Sequence, residues 1–509
     1  MTSPANTRLP ISDDVEAVLP AAISRGHDWL KSTADEEDKA TEQLADLLRD
    51  EDGVKFTMDF VDRVMRPEDD KVAAHALKDI SSHYDPSFLG SINGALVGAG
   101  GFFGPILPNL VMPVARLYMR KMVGHLVLDA ESDALNKILD KAAESGEQLN
   151  LNLLGEAVLG EEEAKSRAQR TLKLIQNPRV TYVSVKASSM VAQLNHWDID
   201  GSVERLKERL RPLYQAAADR TDKVFINMDM EEYHDLHLTI RLFKELLSEP
   251  EFLTLDAGIV LQAYLPDTFD ALKDVADFAK ERVAKGGGKV KVRIVKGANL
   301  SMETVQGEVH DWPLATYTNK LDVDANYYRL LDFILREEYA DSVRIGVATH
   351  NLYTAAMAYE LGKKRGVLHM MDSEMLQGMS PAQQAAVRKV FEGRQILYTP
   401  VVHADDFDVA VSYLVRRLEE NSAPQNFLYA LFAPGEEPLA DQEETFRRAV
   451  AKRWDTFAGA RRTQNRLEED GRQAPRTGRF TNEADTDPAL APNRQWAQEA
   501  LKRNPGEHG

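Results

Sequence analysis

The 509-residue chain contains no cysteine. Disulfides, thiolate metal sites and a cysteine nucleophile are therefore excluded. Cationic charge is also scarce, since 62 Lys and Arg face 81 Asp and Glu for a formal net charge of −19. A nucleic-acid duplex would repel such a chain unless a basic patch intervened, and no basic run supplies one. No nucleic-acid partner is expected. No charged n-region followed by an apolar h-region opens the chain, which predicts a cytoplasmic protein. The uncharged stretch 86–115 is interrupted by Pro105, Pro108 and Pro113 and by glycines at Gly98, Gly100 and Gly101. A membrane span needs roughly 20 mainly apolar residues. The stretch therefore reads as a buried or interfacial segment, with a peripheral membrane role left open. Two ligand signatures are missing as well. Gly286-Gly287-Gly288-Lys289 lacks the Ser or Thr and the spacing of a Walker loop, and no Gly-x-Gly-x-x-Gly follows a strand.

What is present is an ordinary globular composition, 43% hydrophobic and 28% charged, with room for one barrel of about 250 residues plus flanking regions. Residues 1–85 read as an acidic helical arm, and 86–148 as a further helical region, with 116–143 a long helical stretch. From about residue 149 short apolar strands alternate with helical patterns. The strand candidates are 149–158, 180–187, 224–229, 258–263, 290–297, 343–350, 367–376 and 395–401. Helical spacing separates most of them, as at 203–218, 232–247, 269–284, 324–338, 354–363 and 381–392. Strands alternating with helices imply parallel pairing, and eight of them favour a closed α/β barrel of the (β/α)8 TIM type, preceded by an α-helical N-terminal arm. The barrel is expected over 149–435 and a C-terminal tail or linker over 436–509.

In such a barrel the chemistry sits at the C-terminal ends of the strands. Those ends carry Glu156, Lys186, Asp229, Gln262, Arg293 with Lys296, Thr349-His350-Asn351, Glu374 near Leu376, and Tyr398. Nearly every strand thus closes on an ionisable or amide group, a set that suits an anionic ligand with hydrogen-bonding ring atoms. Alternation puts Lys291 and Arg293 on one face of their strand. After it, Lys296-Gly297-Ala298 offers small residues where a backbone approaches a phosphate or a flat ring closely. His234 and His237 stand near Glu231 and Glu232, but without a third ligand they read as a helix surface.

The helical stretch 407–421 holds Arg416-Arg417. Adjacent residues on a helix project about 100° apart, so the pair is no fork by default. On a wheel with Phe407 at zero, Val411, Leu414 and Leu418 lie within about 40° of it. Arg417 flanks that stripe and Arg416 points away. On an outer helix the two would be solvated beside Glu419 and Glu420. On a helix across a barrel mouth, both could grip a carboxylate.

Several motifs occur in order: LLGEA at 153–157, SVKA at 184–187, NMD at 227–229, LQAY at 261–264 and VRIVKGA at 292–298. ATHN at 348–351, EMLQGM at 374–379, LYTP at 397–400 and YLVRRLEEN at 413–421 follow. Over residues 115–435 the chain resembles proline dehydrogenase, the flavin-dependent barrel that also forms one half of bifunctional proline utilization A proteins. The resemblance implies FAD-dependent oxidation of L-proline to Δ1-pyrroline-5-carboxylate, with hydride passing to flavin N5 and electrons to a quinone. It implies Lys186, Arg416 and Arg417 on the substrate carboxylate, with Tyr398 and Leu376 against the ring. Glu156 would gate the site by pairing with one of the arginines. Asp229, Arg293 and Lys186 would be the catalytic set. Met230, Gln262, Arg293, Lys296, Gly297, Ala298, Thr349, His350, Asn351 and Glu420 would line FAD. No metal is required. Implied partners are L-proline, a quinone acceptor at the inner face of the cell membrane, and a pyrroline-5-carboxylate/glutamate-semialdehyde dehydrogenase, fused or separate. Two departures stand out. Asn299-Leu300 replaces an aromatic common after the KGA motif, and Asn319 stands where some relatives have arginine. The rival readings are a (β/α)8 lyase or aldolase with Lys186 or Lys296 as a Schiff base, and a non-catalytic barrel.

Overall fold

The computed structural model describes residues 13–33, 51–65, 67, 69–84, 101, 106–109, 111–114, 127–130, 132–155, 158, 160–403, 410, 413, 417, 420–421, 423–433, 435–469 and 482–502. Nine strands occur among them. They are β1 (Leu128–Asp129), β2 (Gln148–Leu153), β3 (Tyr182–Lys186), β4 (Phe225–Asp229), β5 (Ala257–Gln262), β6 (Val290–Val295), β7 (Val343–Ala348), β8 (Met371–Leu376) and β9 (Gln395–Val402). All pairings are parallel, and β9 joins both β2 and β8, so β2 to β9 close into an eight-stranded barrel. Each of the eight expected strands is there. The one expected at 149–158 ends already at Leu153, short of Glu156, and the one expected at 367–376 starts later, because Leu368–Met370 forms a 3-10 turn.

The strands are buried almost throughout, as a parallel sheet covered by helices requires. Their outward residues meet helices such as Ile199–Asp219, Leu236–Leu247, Thr268–Ala284, Lys320–Ile334 and Leu352–Lys364 in one apolar core. Asn319 caps Lys320–Ile334 by accepting from Asp322 N, and Asn351 caps Leu352–Lys364 by accepting from Thr354 N.

Leu128–Asp129 lies inside the stretch expected to be one long helix, yet it is extended. The cause is an open edge. β9 pairs with β8 only as far as Tyr398, and β1 takes the vacated side at Val401 and Val402. Helix Ser132–Glu144 follows it. Of the uncharged stretch 86–115 only Gly101, 106–109 and 111–114 are described. There Met112 is buried with Phe56, Phe60, Val64, Leu77 and Ile80 in a small separate core. Among the described residues no helix is long and apolar enough to cross a membrane. Within the arm expected to be helical, residues 34–50 fall outside them, and helices Asp13–Thr33, Glu51–Phe60 and Asp70–His83 are present.

Two further helices brace the barrel from outside. Asp13–Thr33 crosses Leu352–Lys364 so closely that a Cβ on Gly26 would come within 2.6 Å of the Tyr353 ring. Glu437–Lys452 packs on Lys320–Ile334. Buried Asp332 joins them, accepting from Arg365, Arg453 and Trp454 at 2.6–2.9 Å, while Arg365 reaches Asp14 and Arg453 reaches Glu16.

Inside the barrel the inward residues include an unusual set of charged groups. Lys291 of β6 lies 3.0 Å from Asp372 and 2.6 Å from Glu374 of β8. Neighbouring Gly346 of β7 leaves the space they occupy, since a Cβ there would stand 2.1 Å from Glu374 Oε1 and 3.0 Å from Lys291 Cε. Gly346→Ala should therefore cost about 1–3 kcal/mol by overpacking, read as a lower denaturant midpoint. A variant as stable as the parent would mean that Glu374 can turn aside freely.

Candidate active site

A cavity of about 380 Å³ opens at the C-terminal ends of the strands. Its wall includes Lys186, Asp229, Met230, Gln262, Arg293, Lys296, Gly297, Ala298, Thr349, His350, Asn351, Leu376, Tyr398, Arg417 and Glu420. Arg416 and Glu156 lie outside the described residues. Every other residue singled out for the site is thus brought to one place.

At the floor, Asp229 Oδ1 accepts from Asn227 at 2.8 Å, Arg293 at 3.0 Å and Ser184 at 3.1 Å. Asp229 Oδ2 accepts from Tyr398 Oη at 3.0 Å. Tyr398 in turn accepts from Asn152 Nδ2. Its ring lies under the Arg293 guanidinium at 4.8 Å. Burial opposes charge on Arg293, but Asp229 and Glu374 outweigh it and hold the group above its ordinary pKa. Burial, reinforced by Asp229, pushes the Tyr398 phenol well up, so it stays a neutral donor. Arg293 is not at the strand end as expected. It sits mid-strand and reaches the mouth from inside the barrel.

Along the rim, Lys186 pairs with Glu231 at 3.2 Å. Arg417 makes a two-point contact with Glu420, both distances 2.8 Å, and stacks over Tyr413 at 5.3 Å. Glu420, expected against FAD, thus touches Arg417 directly. Lys296 pairs with Asp324 at 2.5 Å, and burial pulls its ammonium down to about 8 against that carboxylate. Gly297 has φ +127°, a conformation side chains avoid, and a Cβ there would strike the Tyr264 ring. Asn319 caps its helix, while the adjacent Lys320 lines the cavity. Asn299 also lines it, and Leu300 is half exposed beside it.

Sequence reasoning passed over Asn152, Glu231 and the Asp372–Lys291 pairing. The available signal was the alternation Asp372-Ser373-Glu374 in β8, which mirrors Lys291-Val292-Arg293 in β6 with opposite charge. His234 and His237 do not share a ligand set. His234 sits instead beside His196 and Asp235.

A family model described as proline dehydrogenase matches residues 134–430. The chain belongs to the proline dehydrogenase family. Among solved structures it is similar to proline utilization A from Corynebacterium freiburgense, at 57% identity and TM-score 0.67 over 75% of this chain and 36% of that one. It is also similar to proline utilization A from Bdellovibrio bacteriovorus, a structure inactivated by N-propargylglycine. Identity there is 26% and TM-score 0.73, over 95% of this chain and 48% of that one. The protein from Bradyrhizobium japonicum, at 20% identity and TM-score 0.61 over 89% of this chain and 49% of that one, shares the fold. The chain therefore spans about half or less of these relatives' lengths. No curated protein matches it.

His350 gives this site an acid limit. Its Nε2 accepts from Leu376 N at 2.9 Å, which puts the proton on Nδ1. Burial, helped by Arg417, lowers its pKa to about 4. An unfolded histidine takes up its proton near 6.5, before the folded one does. Stability is then whole above that value and declines as pH falls from about 6.5 toward 4. His350→Gln keeps an acceptor for Leu376 N and does not titrate. Its denaturation midpoint should fall less steeply across this window than the parent's.

Proposed function

We propose that the chain oxidises L-proline to Δ1-pyrroline-5-carboxylate with FAD as electron acceptor. The observation that carries this reading is Arg417 and Lys186 on the rim of one cavity whose floor is Tyr398, Asp229 and Arg293. Two cations suit a carboxylate, and an aromatic face suits a small saturated ring.

The residues present fit FAD. Gln262 Oε1, Arg293 Nη1 and Arg417 Nε are buried without a hydrogen-bond partner among the described residues. Groups left so are costly unless a ligand completes them. Thr349, His350 and Asn351 stand at the start of the 13-residue helix Leu352–Lys364, whose positive end favours an anion such as a pyrophosphate. Gly297 lets backbone come close, and Met230, Gln262, Lys296 and Ala298 complete the lining. Bound there, FAD supplies the two-electron acceptor for a hydride.

The chain's own residues do the rest. Arg417 and Lys186 hold the carboxylate, with Arg416 the second guanidinium and Glu156 the gate in this reading. Tyr398 and Leu376 confine the ring, which fixes the carbon next to nitrogen. That carbon gives up hydride only when the nitrogen lone pair is free, so the amine reacts neutral. Asp229 fixes both Tyr398 and Arg293, and Arg293 offers positive charge where negative charge develops. For this reading, family membership supports a quinone acceptor at the inner face of the membrane, a cytoplasmic location, and a pyrroline-5-carboxylate/glutamate-semialdehyde dehydrogenase as the consumer of the product, fused or separate.

A Schiff-base lyase is the second reading, favoured only by the lowered pKa of Lys296. Its ion pair with Asp324 argues against a free amine. Purified protein should be yellow and bleach anaerobically on addition of L-proline. A colourless protein that borohydride traps as an adduct would replace this reading with the lyase. In the flavin-loaded enzyme, Arg417→Met should weaken proline binding about 10- to 100-fold, the loss of a charge-assisted contact of about 1.5–3 kcal/mol. Unchanged affinity and rate would remove Arg417 from the substrate site.

A further inference from the structure

Away from the barrel cavity, one group among the described residues has the makings of a metal centre. His196 ends the loop that leaves β3, just before helix Ile199–Asp219, while His234 and Asp235 lie in the 3-10 turn Tyr233–Asp235 after β4. One ligand atom from each falls within 4.8 Å of the others. Asp235 Oδ1 is 2.7 Å from His196 Nε2 and 3.6 Å from His234 Nε2. The two rings meet edge to face with centroids 4.3 Å apart. Tetrahedral bonds of about 2.0–2.1 Å place neighbouring donor atoms about 3.3 Å apart, so only small movements separate this group from a coordination shell.

Two observations point to a ligand rather than to a plain histidine–aspartate pair. Glu232 Oε2 lies 3.4 Å from His234 Nδ1, the far ring nitrogen. A carboxylate at that place holds a ligating imidazole in the tautomer that presents Nε2 to a metal. In addition, a cavity of about 490 Å³ opens directly over His196 and His234, so a fourth position would face open space. Across that cavity His310 is engaged separately by Asp485 at 2.7 Å.

We propose that His196, His234 and Asp235 form a binding site for a zinc-class divalent transition metal, with three protein ligands and an open fourth position. Two imidazoles and one carboxylate select such an ion over magnesium or calcium, which prefer all-oxygen shells. Binding exchanges the direct His196–Asp235 contact for bonds from both groups to the ion. The ion would join the loops after β3 and β4, the first of which leaves Lys186 and the second of which carries Glu231, both at the active-site rim. Its role is then to fix those loops, and the open position admits water or a small anion. The inference does not depend on the proline reading.

The test is calorimetric titration of Zn²⁺ into the metal-stripped full chain, with melting curves alongside. One Zn²⁺ per chain and a raised Tm are expected. Affinity should fall at least about tenfold in His196→Gln or His234→Gln, and about 10- to 100-fold in Glu232→Gln. X-ray absorption at the zinc edge of the unsubstituted protein should show two imidazoles, which settles the matter even where a variant fails to fold. No binding, equal affinity in the double histidine variant, or a shell without imidazole overturns the proposal.

Discussion

Charge neutrality inside the barrel is the constraint on which the site depends. β6 sends Lys291 and Arg293 inward, and β4 and β8 answer with Asp229, Asp372 and Glu374. Arg344 of β7 adds a cation against Asp372 at 2.8 Å, so three cations meet three carboxylates. Burying such ions is expensive, and pairing them rarely makes a fold more stable than an apolar core would. Stability comes instead from the outer faces of the strands, where Val, Ile and Leu pack against the helices. What the ion chain supplies is position. Arg293 cannot leave Asp229 without stranding a buried carboxylate, so the floor of the cavity is held before any ligand arrives.

That arrangement explains what the sequence could and could not tell. The eight strands were legible because each is a short apolar run between helical patterns, and polar residues closing those runs marked the mouth. Lys291 was harder. A lysine inside a strand normally signals a solvent face, and only the partner strand β8, 80 residues further on, shows that its charge is matched. The two-residue β1 carried no local signal at all. It is extended because the far half of β9 has an unpaired side. The pairing of Arg417 with Glu420 was within reach, as the two are three residues apart in a stretch with helical spacing. Its placement at the cavity, rather than on an outer surface, required the closed barrel.

The elements outside the barrel serve the mouth as well. Helix Leu352–Lys364 begins at the Thr349-His350-Asn351 turn, and Asp13–Thr33 and Glu437–Lys452 flank that helix and its neighbour. Asp332 is the junction, with Arg365, Arg453 and Trp454 converging on one buried carboxylate whose pKa they hold down despite burial. Segments more than 400 residues apart in the chain, at Glu16 and Arg453, are thereby clamped on the same side of the barrel. That turn, which lines the cavity, is anchored from behind by the clamp.

Arg417 shows the consequence for binding. Its guanidinium is already engaged by Glu420 with two contacts, and Lys186 by Glu231. In the proposed function, an arriving carboxylate would therefore exchange one anionic partner for another instead of neutralising a bare charge. These pairings spare the cavity wall the penalty of an uncompensated buried cation. The exchange also returns less than a new ion pair would, because the displaced glutamate must be rehydrated or find another donor. On the proposed reading, affinity for a small amino acid would then be modest, and discrimination would fall on the ring. A longer or branched side chain would have to displace Tyr398, which Asn152 and Asp229 hold in place from two sides.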